Sequence, residues 1–235
     1  KLSICIPTYN RIKFILKQVY DILESFKSFE YDFEIIVSDN CSNYKSELIQ
    51  LEEYCLQNSI RFFKQEKNLG LIGNINFLLN EAKGEYVWFL GDDDFVKKTT
   101  TQILQDIFKN HQPNYIFLNH AAVKGENRNE IFKLFELKKY HGYSENGLKI
   151  LMNIFYTYGA INMFMSSNIY KRSKLIKKYK KYSSNQQIVD PFIYSVLMSK
   201  ESIYVEHEVC VYDNFEETSW KNNKREILSR IFVIR

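Results

Sequence analysis

The chain has 235 residues, of which 45% are hydrophobic and 16% aromatic, and its formal net charge is +4. This length and apolar content predict one α/β unit with a packed core and exclude a disordered, low-complexity chain. The small positive charge is interspersed with acidic residues along most of the sequence and does not indicate a nucleic-acid partner.

The four cysteines form no CxxC pair, so their spacing predicts neither a zinc site nor a small disulfide framework. We expect free thiols, as in a protein that is not secreted. No apolar run approaches the roughly 18 residues of a membrane span, and the start shows no signal peptide. The sequence begins at Lys1 and ends within the helix-like segment REILSRIFVIR, so we expect that a C-terminal part is missing.

The first 95 residues alternate between strand and helix patterns. Apolar runs predict strands, and apolar side chains spaced by three and four residues predict helices. The strands are expected at 2–7, 33–39, 60–65 and 86–90, and the helices at 11–28, from about 43 to 57, and in the segment ending at Gly84. We expect Asn43 or Ser42 to cap the second helix and Gly84 to terminate the third. This order predicts a mostly parallel sheet with helices on both faces.

The pattern after residue 96 is less regular. Helices are predicted at 99–110, 145–156, 173–181 and 188–200, the last with Pro191 in its first turn, and strands at 114–123, 162–171 and 202–212, the last as a strand or hairpin. Residues 127–143 are polar and ambiguous. No internal repeat or Gly/Ser/Pro-rich linker is visible, so we expect a single domain over 1–235, with a nucleotide-binding half at 1–96 and a more variable second half at 97–235.

Polar motifs follow three of the predicted strands. PTYNR follows the first strand, SDN the second and GDDD the fourth. In parallel α/β sheets, ligands bind in the crevice beyond the carboxyl ends of the strands. Because three separate strands deliver polar groups to one edge, the sequence predicts a binding site there.

The three adjacent aspartates, Asp92 to Asp94, follow a buried apolar run. Like charges so close together repel, and partial burial strengthens the repulsion. A cation would offset it, and carboxylates at a strand end suit Mg²⁺ or Mn²⁺, which prefer oxygen ligands and keep substrate phosphates in their shell. The alternative is an acidic turn in which Asp94 caps the next helix.

The first two motifs have a ligand-binding interpretation and a structural one. Asp39 at the end of the second strand is interpreted as a contact for a ribose or a base edge, and the alternative is an Asx turn that holds the loop. For Thr8, Tyr9, Asn10 and Arg11, ligand contact is compatible with a strand-to-helix turn capped by Asn10.

The stretches ICIPTYNR, IIVSDNCSN and EKNLGLIGNINFLLNEAKGEYVWFLGDDDF resemble the family 2 inverting glycosyltransferases, which have the fold called GT-A. The resemblance is specific over residues 2–96. It implies metal-assisted transfer, with Mn²⁺ or Mg²⁺, from a nucleoside-diphosphate sugar, most simply a UDP-sugar, to a hydroxyl of a glycan or lipid-linked acceptor. It also implies that 97–235 binds the acceptor, and that the protein works in bacterial polysaccharide, lipooligosaccharide or glycoprotein glycan synthesis on the cytoplasmic side of a membrane.

The resemblance also implies roles for individual residues. Asp92 would contact the ribose or the sugar, and Asp93 would bind the metal, with Asp94 as a further ligand. Gly91 stands where the common D-x-D-D form has its first acidic residue, so the division of roles among the aspartates stays open. The residues implied to hold the nucleotide or line the donor pocket are Pro7, Thr8, Tyr9, Asn10, Asp39, Asn68 and Gly70.

Inverting transfer also needs a general base that takes the proton from the acceptor hydroxyl. The family places an acidic residue at the start of a helix well past the metal aspartates, and Asp190, before Pro191, matches that position. Val189 replaces the first residue of the family's frequent Glu-Asp pair. The alternative for Asp190 is an ordinary helix N-cap, and Asp213 and Glu216 are the fallback bases.

The remaining polar residues are weaker candidates. His207 lies in an alternating pattern and is predicted to be a strand residue, and His111, His120 and His141 show no ligand spacing. The basic segment 171–182 is interpreted as a solvated helix face, and the alternative is contact with anionic lipid or a lipid diphosphate.

Two other functional classes are alternatives to the enzyme. A nucleotide-sugar-binding module without transferase activity is the main alternative, and the intact run Asp92 to Asp94 together with Asp190 favours the enzyme. A nucleotidyltransferase is disfavoured because no glycine-rich loop of the G-x-G-T-R type follows the first strand. The segment GLIGN lacks the Lys-Ser/Thr of a phosphate-binding P-loop.

Overall fold

The computed structural model describes residues 2–43, 45–124, 130–183 and 194–214. These residues form one large sheet with helices packed against both of its faces. The strands are β1 Leu2–Thr8, β2 Phe33–Asp39, β3 Arg61–Lys64, β4 Tyr86–Phe89, β5 Phe95–Val96, β6 Tyr115–Lys124, β7 Glu130–Leu134, β8 Gly142–Ser144, β9 Asn168–Lys171 and β10 Ile203–Asn214. The helices are α1 Ile12–Phe26, α2 Lys45–Gln57, α3 Gly70–Glu81, α4 Thr100–Asn110, α5 Gly147–Tyr158, α6 Arg172–Ser183 and α7 Tyr194–Met198.

The sheet order is β3-β2-β1-β4-β9-β6-β10-β5, with β7 added beside β6 and β8 beside β10. Strands β1 to β4 are mutually parallel, whereas β9 runs antiparallel to both β4 and β6. The parallel half confirms the predicted alternation over the first 95 residues. It brings the carboxyl ends of β1, β2 and β4 to one edge, where the three polar motifs follow them.

The central strands are buried on both faces. Ile4 and Ile6 of β1 contribute to the core that contains α1, α2 and α4, whereas Cys5 between them belongs to the opposite core, which contains α3 and α5 to α7. This alternation follows from the two-residue period of a strand. The apolar stripe predicted for the first helix is buried in α1, for example at Ile15 and Val19, which are both 0% exposed.

The sequence predicted that Gly84 terminates α3, and this prediction is wrong. The helix ends at Glu81, and Ala82 then adopts an extended conformation with φ −59° and ψ 135°. A Cβ atom on Gly84 would lie 2.6 Å from the backbone nitrogen of Ser3. Glycine is therefore needed here for close approach to β1 rather than for a helix C-cap.

The strand predicted at 162–171 begins only at Asn168. Two short 3₁₀ turns, Ile161–Met163 and Met165–Ser167, precede it. The Ser167 hydroxyl and the Asn168 amide both donate to the carbonyl oxygen of Phe164, and such local bonds compete with a strand ladder.

The other differences from the predicted elements lie in the second half. Strands β7 and β8 occupy part of the ambiguous segment 127–143, and 202–212 belongs to one long strand, β10, with two register shifts. The start of the helix predicted at 188–200, including Pro191, lies outside the described residues. No helix within the described ranges is long and apolar enough to cross a lipid bilayer.

Candidate functional site

The ends of β1 and β4 bring Thr8, Arg11 and the aspartates together. The Thr8 hydroxyl donates a hydrogen bond of 2.7 Å to Oδ2 of Asp92, and both side chains are buried. Arg11 places Nη1 at 3.4 Å from Oδ1 of Asp92 and donates a short hydrogen bond from Nη2 to Asp93. The sequence predicted that a cation offsets the charge of the three aspartates. In the structure, the guanidinium of Arg11 offsets part of that charge.

Gly91 is enclosed by the aspartate loop. A Cβ atom there would lie 2.5 Å from Oδ2 of Asp94, so the structure has no room for the acidic side chain that the common form carries. The Gly91 nitrogen donates to the hydroxyl of Ser166 at 2.8 Å, and its carbonyl oxygen accepts from the side chain of Gln18. The departure from the D-x-D-D form is therefore a packing requirement of this loop.

Asp94 does not cap the next helix, which was the structural alternative. Helix α4 begins at Thr100, and the carboxylate of Asp94 accepts a short hydrogen bond from Ser166. In the antiparallel pair of β5 and β10, Phe95 lies opposite Tyr212, so the next pair along brings Asp94 beside Asp213. The sequence offered Asp213 only as a fallback base, whereas the fold adds it to the carboxylate cluster.

Three carboxylates of this cluster, those of Asp92, Asp94 and Asp213, have raised pKa values. Burial raises the pKa of Asp92 to about 6; Arg11 opposes this rise and Asp93 adds to it. Burial and the Asp93 charge raise the pKa of Asp213 to about 6. The pKa of Asp94 lies well above its usual value because of burial and the charges of Asp93 and Asp213. Negative charge thus exceeds what Arg11 neutralises, and this set of oxygen donors fits Mg²⁺ or Mn²⁺.

The loops after β1 and β2 are tied together by side chains. Asp39 is 0% exposed and accepts hydrogen bonds from the backbone nitrogen and the hydroxyl of Ser42. The nitrogen of Asn10, a residue with φ 55°, donates to the same hydroxyl at 2.7 Å, and its Oδ1 accepts from the nitrogen of Asn43 at 3.0 Å. These bonds match the Asx-turn alternative for Asp39, and its contact with a ribose or base stays a prediction.

Of the capping interpretations at these loops, that of Asn10 is wrong, and the capping of α2 by Asn43 or Ser42 stays a prediction because residue 44 lies outside the described residues. Arg11 is the N-cap residue of α1, and no side-chain cap bond is found there among the described residues. The hydroxyl of Ser42 donates to Asp39. The side chains of Asn10 and Ser42 thus join the loops after β1 and β2.

The start of α3 is positioned by two asparagines. Oδ1 of Asn68 accepts from the Asn40 side chain at 3.0 Å and from the nitrogen of Gly70 at 2.7 Å. Oδ1 of Asn40 accepts from the nitrogen of Leu69 at 2.8 Å. Gly70 has φ 70°, which favours glycine. The predicted pair Asn68 and Gly70 thus orients the amino end of α3.

A cavity of about 330 Å³ lies between these elements. Its size is at the lower end of the range for small-molecule sites. Four predicted residues, Asn10, Asp39, Asp93 and Asp94, lie outside its lining. The lining consists of Pro7, Thr8, Tyr9, Arg11, Asn40, Asn68, Gly70, Leu71, Asn74 and Asp92.

Sequence reasoning missed Asn40, Leu71 and Asn74 as lining residues. Asn74 is four residues after Gly70 and so lies on the same face of α3, which is the signal that would have identified it. Its side chain also bonds to Ser38 in β2, accepting from the hydroxyl at 2.6 Å and donating to the carbonyl at 2.9 Å.

The predicted base, Asp190, and the fallback Glu216 lie outside the described residues. The basic segment is mostly α6, where Lys174 and Lys178 lie 3.5 and 3.0 Å from the carboxylate of Glu201. Ion pairing of this kind agrees with the solvated-face interpretation. Contact with lipid stays a prediction.

His207 lies in strand β10, as the sequence predicted. The sequence showed no ligand spacing for His141, but the fold brings it close to His207. His141 and His207 approach each other and Glu206, with one potential ligand atom from each residue within 4.8 Å of the others. His120 is different, because burial and the Lys133 charge lower its pKa to about 3, and it packs between Phe135 and Phe164 as a core residue.

The family is decided by a match over most of the chain. The family model described as Glycosyl transferase family 2 matches residues 3–178. The chain belongs to glycosyl transferase family 2. This confirms the resemblance carried by the motifs, and a glycosyltransferase is confirmed at the level of the family.

Two curated relatives of this family 2 chain act in bacteria. The abequosyltransferase RfbV of Salmonella typhimurium is 31% identical over 116 residues, which cover 49% of this chain and 34% of that protein. The poly(ribitol-phosphate) β-N-acetylglucosaminyltransferase TarP of Staphylococcus aureus is 27% identical over 223 residues, covering 93% of this chain and 64% of that protein. The chain thus spans less than two thirds of the length of each.

Solved structures share the fold of this family 2 chain. The crystal structure of S. aureus TarS 1–349 in complex with UDP-GlcNAc matches with a TM-score of 0.70 and 21% identity, covering 93% of this chain and 60% of that one. The mannosyltransferase PcManGT from Pyrobaculum calidifontis, in complex with GDP-Man and Mn²⁺, matches with a TM-score of 0.59 and 14% identity, covering 94% and 59%. These likenesses confirm the predicted GT-A fold.

Proposed function

We propose that this chain is the catalytic domain of an inverting glycosyltransferase. It transfers a sugar from a nucleoside-diphosphate sugar, most simply a UDP-sugar, to a hydroxyl of a glycan or lipid-linked acceptor in bacterial surface-glycan synthesis. The observation that carries the proposal is a buried carboxylate cluster beside a cavity lined by the nucleotide-binding motifs. The relatives' own activities support the substrate class.

The cavity suits the nucleoside part of the donor. Tyr9 is 42% exposed and offers an aromatic face on which a base stacks. The amides of Asn40 and Asn68 hold one another and the start of α3, so their remaining hydrogen-bonding groups are pre-oriented towards a ribose or base edge. Preorganised polar groups of this kind give orientation and specificity in an otherwise apolar pocket.

The aspartate cluster supplies ligands for Mg²⁺ or Mn²⁺. Asp93 and Asp94 are the ligands we propose from the motif, and Asp92 and Asp213 complete the negative charge around them. When bound, the ion neutralises the charge of the leaving nucleoside diphosphate. The Mn²⁺ complex of PcManGT, a protein of the same fold, supports this choice of cofactor.

Arg11 changes partner when the donor binds. Its guanidinium contacts Asp92 and Asp93 and also lines the cavity. A diphosphate offers the same guanidinium paired oxygen acceptors, and Arg–phosphate pairs of this kind are strong. We propose that Arg11 moves from Asp93 to the diphosphate, and Asp93 would then be available as a metal ligand.

The transfer itself is a single displacement. The acceptor hydroxyl oxygen attacks the anomeric carbon opposite the diphosphate, the bond from that carbon to the phosphate oxygen breaks, and Asp190 takes the hydroxyl proton. The diphosphate leaves with the electron pair of the broken bond. The assignment of Asp190 is supported by its motif before Pro191. We propose that residues 97–235 bind the acceptor. We also propose that the reaction takes place on the cytoplasmic face of the membrane, which the protein contacts peripherally through the basic segment 171–182.

One observation favours the alternative, a nucleotide-sugar-binding module without transfer. A guanidinium already pairs with Asp92 and Asp93, and a module that never binds metal would use such a pair to neutralise its aspartates. The two functions differ in whether nucleotide binding depends on metal and whether sugar is released.

The experiment is a calorimetric titration of UDP, GDP, CDP and dTDP, with Mn²⁺ and then with a chelator. We expect one nucleotide to bind with Mn²⁺ and to lose affinity on chelation, and the matching nucleotide sugar to be turned over. Asp93→Asn is the matched variant and should bind nucleotide as the chelated wild type does. Tight binding that ignores metal, with no turnover of any donor, would establish the binding module instead.

A further inference from the structure

A second cluster of metal-ligand side chains lies at the junction of β8 and β10, away from the aspartates. Oε1 of Glu206 lies 3.0 Å from Nδ1 of His207 and 3.7 Å from Nδ1 of His141. The two imidazole rings are 4.3 Å apart between centroids. Asp213 lies six positions after His207 along β10, roughly 20 Å in an extended strand, so this cluster is distinct from the proposed donor site.

A strand irregularity makes the cluster possible. Neighbouring residues of a regular strand point to opposite faces of the sheet, so Glu206 and His207 would normally face apart. Between Glu206 and Val209, however, the register of β10 against β6 shifts. Shifts of this kind re-aim side chains and are typical of functional positions. The side chain of Asn119 stabilises the shift by donating to the carbonyl oxygen of His207 at 2.7 Å.

The contacts of His141 and His207 leave one ring nitrogen of each imidazole available to bind a metal ion. Nδ1 of His141 lies 3.1 Å from the carbonyl oxygen of Val205, and a proton on Nδ1 would donate to that oxygen and leave the lone pair of Nε2 free. Metal-binding histidines usually donate their other ring N–H to a carbonyl or carboxylate in this way. Nδ1 of His207 is buried and, within the described part of the chain, makes no aligned hydrogen bond.

The carboxylate completes a mixed nitrogen and oxygen donor set. Glu206 has a side chain only 6% exposed, and its Oε1 also accepts from the nitrogen of Glu208 at 2.7 Å, which fixes its direction. The side chains of His141 and His207 are 37% and 32% exposed, so solvent reaches the cluster. Two imidazoles and one carboxylate with an open fourth position form a donor set that Zn²⁺ accepts, whereas Mg²⁺ prefers oxygen alone.

We propose that His141, Glu206 and His207 bind a divalent transition-metal ion such as Zn²⁺, with water as the fourth ligand. His141 precedes β8, whose Gly142 pairs with Val205 of β10, so the ion links the start of β8 to the shifted segment of β10. Its role is to hold these two strands together. An ion that binds only the folded protein stabilises it by mass action.

The test uses Zn²⁺ alone as the probe, on the purified protein treated with chelator and then dialysed. Calorimetry and metal analysis should show one Zn²⁺ per chain, with a rise in melting temperature. His141→Ala and His207→Ala should each weaken Zn²⁺ binding by roughly tenfold or more, as loss of a ligand contact does. Mg²⁺, which we expect at the aspartate cluster, should give the same binding and the same melting temperature in the wild type, His141→Ala and His207→Ala.

Two controls separate this site from others on the protein. His111 is exposed and its ring contacts those of Tyr143 and Tyr204 in the same region without belonging to the cluster, so His111→Ala should bind Zn²⁺ like the wild type. Asp93→Asn should also bind normally, because it alters only the aspartate cluster.

Loss of folding is separated from loss of binding by a third variant. Glu206→Gln keeps the size of the side chain and its acceptor for the Glu208 nitrogen, so it should fold, as measured by circular dichroism, and still bind Zn²⁺ more weakly. The visible absorption of Co²⁺ bound in place of Zn²⁺ should change in each cluster variant. Unchanged Zn²⁺ affinity in His141→Ala and His207→Ala, or no binding by the folded wild type, would overturn the proposal and leave a histidine–glutamate ion pair.

Discussion

The hydroxyl of Thr8 and the carboxylate of Asp92 are joined by a hydrogen bond of 2.7 Å across 84 residues of sequence. Because both groups are buried, removal of the Thr8 hydroxyl leaves Oδ2 of Asp92 without this hydrogen bond and without water to replace it. Thr8→Val should therefore lower the free energy of unfolding by about 1.5–3 kcal/mol, the usual contribution of a hydrogen bond to a charged group. Thr8→Ser, which keeps the hydroxyl, is the control, and equal stability of the two variants in chemical denaturation would contradict this contact.

Gly91→Ala tests the close packing of the aspartate loop. The added Cβ would lie 2.5 Å from Oδ2 of Asp94, and an overpacked site of this kind costs about 1–3 kcal/mol. We expect lower stability and weaker binding of Mn²⁺ with nucleotide. Asp94→Ala removes the oxygen that the added Cβ would clash with. Gly91→Ala should therefore lower the free energy of unfolding clearly less in Asp94→Ala than in the wild type. Additive effects of the two substitutions would show that the clash is not the cause.

The raised carboxyl pKa values predict how stability without metal depends on pH. Burial raises the pKa of Asp92 and of Asp213 to about 6, above the values expected in the unfolded chain. The folded state therefore binds protons more tightly, and the contribution of these groups to stability is present at low pH and is lost as the pH rises through about 6.

The measurement is the melting temperature with chelator at about pH 7.5 and at about pH 5, compared with Asp92→Asn and Asp213→Asn. The wild type should gain stability on acidification relative to either variant. Binding of Mn²⁺ should respond oppositely, weakening as these carboxylates become protonated below about pH 6. A wild-type profile parallel to those of both variants would contradict the assignment.

Arg11→Gln separates the two roles proposed for the guanidinium. Arg11 competes with a cation for Asp92 and Asp93, so its removal should tighten Mn²⁺ binding in the absence of nucleotide. The same change should weaken nucleoside-diphosphate binding by roughly tenfold, because a charge-assisted pair with the diphosphate is lost. Arg11→Lys keeps the charge and is the control. Weaker binding of both ligands would indicate a purely structural role.

Asp190→Asn tests the base. The amide cannot accept the acceptor's proton, so turnover should fall by about 10²–10⁴-fold while the affinity for the donor nucleotide stays within error. Asp213→Asn is the comparison, because it lies beside Asp94 in the carboxylate cluster and should instead weaken metal binding. Normal turnover in Asp190→Asn would reassign the base.

The first half of the fold was predictable because its signals are local. Each central strand is an apolar run bounded by polar residues, and α1 carries an apolar stripe with helical spacing, so β1, β2 and α1 were predicted to within one or two residues. The strand ends then predicted where Thr8 and Asp92 lie. The second half was predicted less well, because serine and asparagine side chains turn the chain before β9 and a register shift interrupts β10.

The sequence by itself determined the strand-helix alternation, the edge of the sheet at which the site lies, and the residue types delivered to it. Only the tertiary structure decided which residues meet there. Asp213 reaches Asp94 through the pairing of β5 with β10, and Glu206 and His207 share a side through a register shift. Pairings between distant strands depend on how whole elements pack against a common core, and no local period in the sequence encodes them.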